Sequence, residues 1–289
     1  MRSRHFWRGR HWIIFYRYRG FELKDVSFSF PRGYIMGFVG QNGSGKTTTI
    51  RSVLNMTHIN SGRISVLGLD SVADAKQIKN RTGVVFDSLY FAGHLNAKQI
   101  ERQLCGFYDS WDKEGFFKRL KEFSLPDNKQ VGDFSKGMKM KFMIAVALSH
   151  GAELLILDEP TSGLDPVARD ELLEILYDFI QDENRGVLFS THITADVEKV
   201  ADYITVMQGG KVWYTGLKDE LLEKYVIIKG DINDLPEDKK KDCIGIRSYP
   251  AGFDAMLEAD KAADLPKSIE FDRITLDDML VYIARGDKE

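Results

Sequence analysis

The chain has 289 residues, of which 43% are hydrophobic, enough for one large folded domain with or without a smaller appendage. Its formal net charge of −3 argues against binding to nucleic acid through a broad basic surface, so no nucleic-acid partner is expected. The two cysteines, Cys105 and Cys243, are far apart and form no C-x-x-C pair, which argues against a disulfide framework or a structural zinc site.

The first nineteen residues differ in composition from the rest of the chain. They hold six arginines, no acidic residue and six interleaved aromatic residues. This mixture suits nucleic acid or an anionic membrane surface, but we favour a misassigned start or a reading-frame error upstream of about Tyr18. We therefore treat residues 1–17 as an atypical segment that does not look like a strand, and expect the first half-buried strand at Phe21–Phe28, where the sequence alternates.

A glycine-rich loop lies between a predicted strand and a predicted helix. The strand is residues 34–39, the helix begins near Thr48, and the run Gly40-Gln-Asn-Gly-Ser-Gly-Lys-Thr-Thr48 fits the pattern G-x-x-x-x-G-K-[ST]. Its glycines allow successive N–H groups to point into one concavity, where an anion can bind. Lys46 can then reach terminal phosphates, and the Thr47 hydroxyl can bind Mg²⁺. The strand and helix make an accidental glycine-rich turn a weak alternative.

The middle of the chain changes from strand to helix. A strand is predicted at 83–86 and is followed by Asp87, and helical spacing of apolar residues recurs from about 88 to 150. Within this region, the run Phe134-Ser-Lys-Gly-Met138 precedes a helix that we expect to begin near Lys139.

A second strand ends in two carboxylates. The apolar region 142–157 is interrupted at residues 149–153, so it predicts no membrane span but leaves a buried strand at 154–157. Asp158 follows, placed to hold Mg²⁺ through water, and Glu159 is placed to orient and deprotonate an attacking water. Taken alone, this pair could equally begin a solvated loop. A third strand, 187–190, leads to His192.

The last third of the chain carries no catalytic motif. Residues 203–207 and 211–215, joined by Gln208-Gly-Gly210, predict a hairpin. A helix from about Leu217 leads into a tail in which residues 271–283 suggest a strand end and an amphipathic helix. We assign residues 217–289 to a small α+β appendage of unknown role.

Taken together, residues 18–216 resemble the ATP-binding subunit of ABC transporters, because the glycine-rich loop, the 134–138 run, Asp158-Glu159, the Pro160–Asp165 stretch and His192 occur in that family's order. The resemblance implies an α/β P-loop NTPase cassette with a parallel-sheet core, antiparallel N-terminal strands and a helical subdomain. It also implies ATP and Mg²⁺ as ligands and ATP hydrolysis as the activity.

The resemblance assigns roles to individual residues. Glu159 and His192 would be catalytic, Thr47 and Asp158 would hold Mg²⁺, and Asp165 would lie in a loop at a dimer interface. Tyr18 would stack on adenine, with Tyr16 as the alternative. The phosphate loop would comprise Gly40, Asn42, Gly43, Ser44, Gly45, Lys46, Thr47 and Thr48, and the signature segment that acts on a second subunit would comprise Ser135, Lys136 and Gly137.

Two motifs depart from the family pattern. Lys136 stands where the signature usually has glycine, and such Ser-Lys-Gly-Met variants are similar to those of ATPases that serve ABC-2 type permeases, often exporters. Asp87 stands where a glutamine is usual. It could contact Mg²⁺ through water or only cap the next turn with Ser88.

The partners implied are an integral-membrane permease and a second ATP-binding subunit, identical or different. The implied location is cytoplasmic, on the inner face of the membrane. The alternatives are a non-transport ABC ATPase, which would normally carry two cassettes or a long coiled-coil insertion, and a nucleotide-dependent regulator without turnover. Glu159 and His192 weaken the regulator hypothesis.

Overall fold

The computed structural model of the protein describes residues 12–18 and 21–286. The elements of the first part of the chain are β1 (Trp12–Tyr18), β2 (Phe21–Phe28), β3 (Ile35–Val39), α1 (Lys46–Val53), β4 (Ser61–Arg63), β5 (Ser65–Val66), β6 (Leu69–Asp70), α2 (Ala75–Arg81) and β7 (Thr82–Val85). Next come α3 (Ala97–Leu104), α4 (Lys113–Glu122), α5 (Lys136–Leu148), β8 (Leu154–Asp158), α6 (Pro166–Phe179), β9 (Gly186–Thr191) and α7 (Thr194–Val200). The last part holds β10 (Tyr203–Gln208), β11 (Lys211–Leu217), α8 (Lys218–Lys224), β12 (Tyr225–Gly230), α9 (Glu237–Lys240), β13 (Ile244–Tyr249), β14 (Gly252–Glu258), β15 (Glu270–Arg273) and α10 (Leu276–Gly286).

A six-stranded sheet forms the centre of the fold, in the order β11-β10-β3-β9-β8-β7. All neighbouring pairs are parallel except β10 with β11, which form the predicted hairpin. β3, β8 and β9 are buried along their whole length, as expected for strands covered by helices on both faces. The predicted α/β fold with a parallel-sheet core is therefore confirmed.

A small antiparallel sheet in the order β2-β1-β4 contains the N-terminal strand. Trp12 pairs with Phe28, and Ile14 pairs with both Val26 and Gly62. The interpretation that the stretch before residue 18 does not look like a strand is therefore wrong for residues 12–17. These residues are mostly apolar and aromatic, with Arg17 as the one arginine, and they form a strand that pairs with β2 and β4 although the run shows no alternation.

The region between β7 and β8 is helical, as the spacing of its apolar residues predicts. It contains α3, α4 and α5, whose apolar faces meet in a core of their own around Phe116, Leu120 and Phe142. Its last helix starts at Lys136, three residues before the position that we predicted. The Ser135 side chain caps it by accepting from Met138 N at 3.2 Å.

The C-terminal residues form a four-stranded antiparallel sheet in the order β13-β14-β12-β15. One face is covered by its own connections around Phe253 and Leu257. The other carries α10, whose Leu276 and Met279 share the main hydrophobic core with Val39 and Leu157 of the central sheet. The appendage is therefore packed into the cassette core. No helix in the described part of the chain is both long and apolar enough to cross a membrane.

Candidate functional site

The glycine-rich loop connects β3 to α1 at the carboxyl end of the central sheet. Gly40, Gly43 and Gly45 have φ values of 155°, 81° and 111°, a region that favours glycine. A Cβ on Gly40 would lie 2.4 Å from the carbonyl oxygen of Met207, so no larger residue fits there. The loop therefore depends on its glycines for both conformation and close packing against β10.

The loop ends in a helix whose first turn can bind an anion. The first N–H groups of α1 have no carbonyl partner within the helix, and no side chain caps this end, which follows the glycine-rich loop directly. The Ser44 hydroxyl is buried and has no hydrogen-bond partner among the described residues. A phosphate group at the loop fits this arrangement, because it would accept hydrogen bonds from several unpaired donors at once.

Lys46 supplies a buried positive charge to this loop. Its side chain is 6% exposed, and Nζ donates to the carbonyl oxygens of Gly40 at 2.7 Å and Gln41 at 3.4 Å. Nζ also lies 3.4 Å from Oε1 of Glu159. The charge therefore faces the space between the loop and the end of β8.

Asp158 ends β8 and is held by a neighbouring strand. Its Oδ1 accepts a hydrogen bond from the Ser190 hydroxyl at 2.5 Å, across the parallel register that pairs these two residues. The carboxylate is buried. Together with the half-buried Thr47 hydroxyl, it fits the preference of Mg²⁺ for oxygen ligands, with the remaining positions left to phosphate and water.

Glu159 contacts both Lys46 of the glycine-rich loop and His192. Its backbone has a φ of 52°, rare for a residue other than glycine, and its N–H donates to the carbonyl oxygen of Ser190 at 3.0 Å. Its Oε2 lies 2.7 Å from Nδ1 of His192 and accepts from the His192 N–H at 3.3 Å. A left-handed residue at the strand end thus turns the carboxylate toward both Lys46 and His192.

Most of these groups line one open cavity of about 400 Å³, but the predicted site residues Asp158, Ser44 and Gly40 do not. It is lined by Asn42, Gly43, Gly45, Lys46, Thr47, Thr48, Asp87, Glu159, Ser162 and His192. Nine of these ten residues were predicted from the sequence, and only Ser162 was not. Ser162 lies in the Pro160–Asp165 stretch, three residues after Glu159, and this short separation was the available signal.

Asp87 lies at this cavity with a free carboxylate. It is exposed, and within residues 22–286 its side chain has no hydrogen-bond or ion-pair partner. The alternative in which it caps the next turn with Ser88 therefore finds no support. A contact with Mg²⁺ through water stays a prediction.

The signature residues lie away from the cavity of their own chain. Ser135 caps α5, a Cβ on Gly137 would lie 3.2 Å from Cβ of Ala168, and Nζ of Lys136 lies 2.8 Å from where a Cβ on Gly163 would be. None of these three residues lines the cavity. The segment therefore packs beside the start of α6, outside the cavity of its own chain.

The predicted roles of Asp165 and Tyr18 are not tested by the geometry of the site. Oδ1 of Asp165 caps α6 by accepting from Val167 N at 3.1 Å and Ala168 N at 3.0 Å, so its carboxylate has a local structural task. Its interface role stays a prediction. Tyr18 and Tyr16 belong to β1, but their side chains lie outside the described residues, and stacking on adenine is untested.

The chain is similar in sequence to known proteins of one family. An ABC transporter family profile matches residues 23–162. The chain is 35% identical to the ABC transporter ATP-binding protein NatA of Bacillus subtilis (strain 168) over 212 residues, covering 70% of this chain and 84% of NatA. It is 34% identical to the bacitracin transport ATP-binding protein BcrA of Bacillus licheniformis, covering 66% of this chain and 63% of BcrA. It is 33% identical to the Nod factor export ATP-binding protein I of Burkholderia lata, covering 71% and 68%.

Solved structures agree with the sequence comparison. An ATP-binding subunit of an ABC transporter has a TM-score of 0.66 and 28% identity, with 73% of this chain and 90% of that chain covered. A dimeric ATP-binding cassette bound to ADP and Pi has a TM-score of 0.61 at 22% identity, which supports the fold alone. Because NatA is matched over most of its length and the cassette fold is shared, the chain belongs to the ATP-binding subunits of the ABC transporter family.

Proposed function

We propose that this chain binds MgATP in the cavity between the glycine-rich loop and β8 and hydrolyses it there. The observation that carries the proposal is the position of Glu159. Its carboxylate lies 3.4 Å from the Lys46 ammonium and 2.7 Å from the His192 ring, at the edge of a pocket whose other wall is the phosphate-binding loop.

The chain's own residues would supply the groups for binding and for proton transfer. The loop N–H groups and Lys46 would hold the β- and γ-phosphates, and Thr47 and Asp158 would hold Mg²⁺, which neutralises charge on the phosphate oxygens. Glu159 would accept the proton of the attacking water, and His192 would hold that carboxylate in place by its two contacts.

We infer that a second ATP-binding subunit completes the pocket. Ser135, Lys136 and Gly137 lie outside the cavity of their own chain, at the N-terminus of a thirteen-residue helix whose dipole favours an anion. A second copy, or a related subunit, could bring this segment to the γ-phosphate from outside. The Ser135 hydroxyl can still donate a proton while its oxygen caps the helix.

The partner that we propose is a separate integral-membrane permease of the ABC-2 type, and the direction is export. Support comes from the Ser-Lys-Gly-Met signature and from relatives named for bacitracin transport and Nod factor export. On this proposal the chain lies on the cytoplasmic face of the membrane. These relatives favour transport over a non-transport ABC ATPase.

The test is hydrolysis by Glu159→Gln, which keeps the side-chain shape and removes the proton acceptor. We expect the rate to fall by ~10²–10⁴-fold, while MgATP still raises the melting temperature because Lys46 and the loop are intact. Wild-type turnover in this variant would move the base to another residue. Absence of any hydrolysis or melting shift in the unmodified protein would overturn the proposed function. Co-purification of a multi-span membrane protein tests the permease.

A further inference from the structure

The helix that follows His192 is held between the central sheet and the C-terminal unit. On its inner side, Val197 lies so close to β3 that a Cβ on Gly37 would be 2.5 Å from Val197 Cγ1. On its outer side it meets α10, and Val197, Leu276 and Met279 belong to one buried core. α7 is therefore packed against β3 on one side and against α10 on the other.

Two polar contacts fasten α7 to the start of α10. The Leu276 N–H, the first of α10, donates to Oε1 of Glu198 at 2.7 Å, and the Thr194 hydroxyl donates to Oδ1 of Asp277 at 3.4 Å. A carboxylate that accepts from a free N–H at a helix N-terminus makes one of the stronger kinds of hydrogen bond, because the helix dipole adds to it. The Lys218 ammonium also donates to the backbone carbonyl of Glu198 at 2.7 Å.

α7 begins only two residues after His192, so the position of the helix largely determines the position of His192. The His192 N–H and ring both contact Glu159, and the next residue, Ile193, donates its N–H to the Thr191 hydroxyl at 3.0 Å. A displacement of α7 would therefore move His192 and alter its two contacts with Glu159.

We propose that Glu198 is a positioning residue for hydrolysis: by binding the first N–H of α10, it makes the C-terminal unit hold α7, and so holds His192 against Glu159. This inference rests on the proposed function. It gives residues 217–286 a task in turnover, which their lack of a catalytic motif conceals.

The variants for the test are Glu198→Ala, Glu198→Gln and Asp278→Ala. Glutamine keeps an oxygen that can accept from Leu276 N–H, whereas alanine does not. Asp278 is the matched control, since its Oδ2 accepts from the Thr275 hydroxyl at 2.7 Å at the same helix end, and no contact of its side chain with α7 is found among the described residues. Steady-state ATP hydrolysis is measured for each, after a melt has shown that it is folded.

We expect Glu198→Ala to lower kcat about tenfold or more with KM unchanged, because a misplacement of about 1 Å at a reacting group can cost ~100-fold. Glu198→Gln should retain most of the rate, and Asp278→Ala should retain wild-type turnover. In a His192→Ala background, Glu198→Ala should add little, since the residue acts through His192.

Three results would overturn the inference: wild-type kcat in Glu198→Ala, an equal loss in Asp278→Ala, or effects of Glu198→Ala and His192→Ala that simply multiply. If Glu198→Ala does not fold, the test uses Thr194→Val, which removes the other polar contact between α7 and α10. We then expect a lower kcat at unchanged KM, and a wild-type kcat would contradict the inference. If the unmodified protein hydrolyses ATP and Glu198→Ala hydrolyses it at the same rate, the proposed function stands and only the inference about Glu198 is wrong.

Discussion

The two ends of strand β8 carry glutamates in different surroundings. At the amino end, Glu153 accepts from Arg81 Nε at 2.5 Å and Nη2 at 2.7 Å, and Arg32 Nη1 lies 3.1 Å from Oε2. At the carboxyl end, Glu159 lines an open cavity, and among the described residues its carboxylate pairs with one lysine and one histidine. The first carboxylate is neutralised by its neighbours, whereas the second is left available for a ligand. The two ends of β8 are both charged, but only the end beside the anion-binding loop has a carboxylate that lines a cavity.

The largest effect is expected at the carboxyl end. Lys46→Ala removes the buried cation at the phosphate loop and should abolish MgATP binding and hydrolysis. The unmodified protein should gain about 2.7 kcal/mol of apparent stability at a hundredfold excess of ligand over Kd, and the variant none. Thermal melts with and without MgATP measure this.

Lys98→Ala is the matched control, because Lys98 pairs with Asp127 at 2.9 Å on the helical region and does not line the cavity. A Lys46→Ala protein whose melting temperature still rises with MgATP would contradict the assignment of the pocket.

A smaller effect is expected at the amino end. Glu153→Gln should leave turnover unchanged and lower the stability by about 0.5–1 kcal/mol at neutral pH, since the pair is partly exposed. The hydrogen bonds and charge of Arg81, with Arg32, hold the pKa of Glu153 below its ordinary value of 4.5. The stabilisation is thus present above that value and is lost as the pH falls through the folded-state pKa.

The check is the difference in melting temperature between the unmodified protein and Glu153→Gln, followed from about pH 7 to about pH 3, which should shrink on acidification. A difference that grows toward acid, or a fall in turnover at neutral pH, would break the contrast between the two ends of β8.

Sequence-based prediction succeeded where local chemistry dictates structure. The glycine-rich loop needs positive φ at Gly43 and Gly45, and the apolar runs before Asp158 and His192 can only be buried strands. Local signals, together with the resemblance to the ABC family, identified nine residues that line the cavity, and their roles stay predictions. The start of α5 was predicted three residues late, although Ser135 is a good N-cap and was itself the local signal for that start.

What could not be predicted depends on contacts that are distant in sequence. Strand β1 pairs with β2 and β4, and its run of apolar and aromatic residues gives no clear alternation. The bond between Glu198 and Leu276 joins residues 78 positions apart. The orientation of Lys136 over Gly163 likewise follows from the packing of α5 against α6, which no single stretch of sequence records.

The central claim is that a second subunit's signature segment closes the pocket around ATP. The most direct test places Ser135→Asp in the Glu159→Gln protein. Aspartate is as good an N-cap as serine, so α5 should remain intact, but its charge would repel a phosphate. Ser135→Asn, which caps equally well without charge, is the control.

The measurement is size-exclusion chromatography with MgATP. We predict that Glu159→Gln elutes as a dimer, that adding Ser135→Asn preserves the dimer, and that adding Ser135→Asp leaves a monomer whose melting temperature MgATP still raises. A Glu159→Gln/Ser135→Asp protein that dimerises with MgATP as readily as Glu159→Gln alone would contradict the claim.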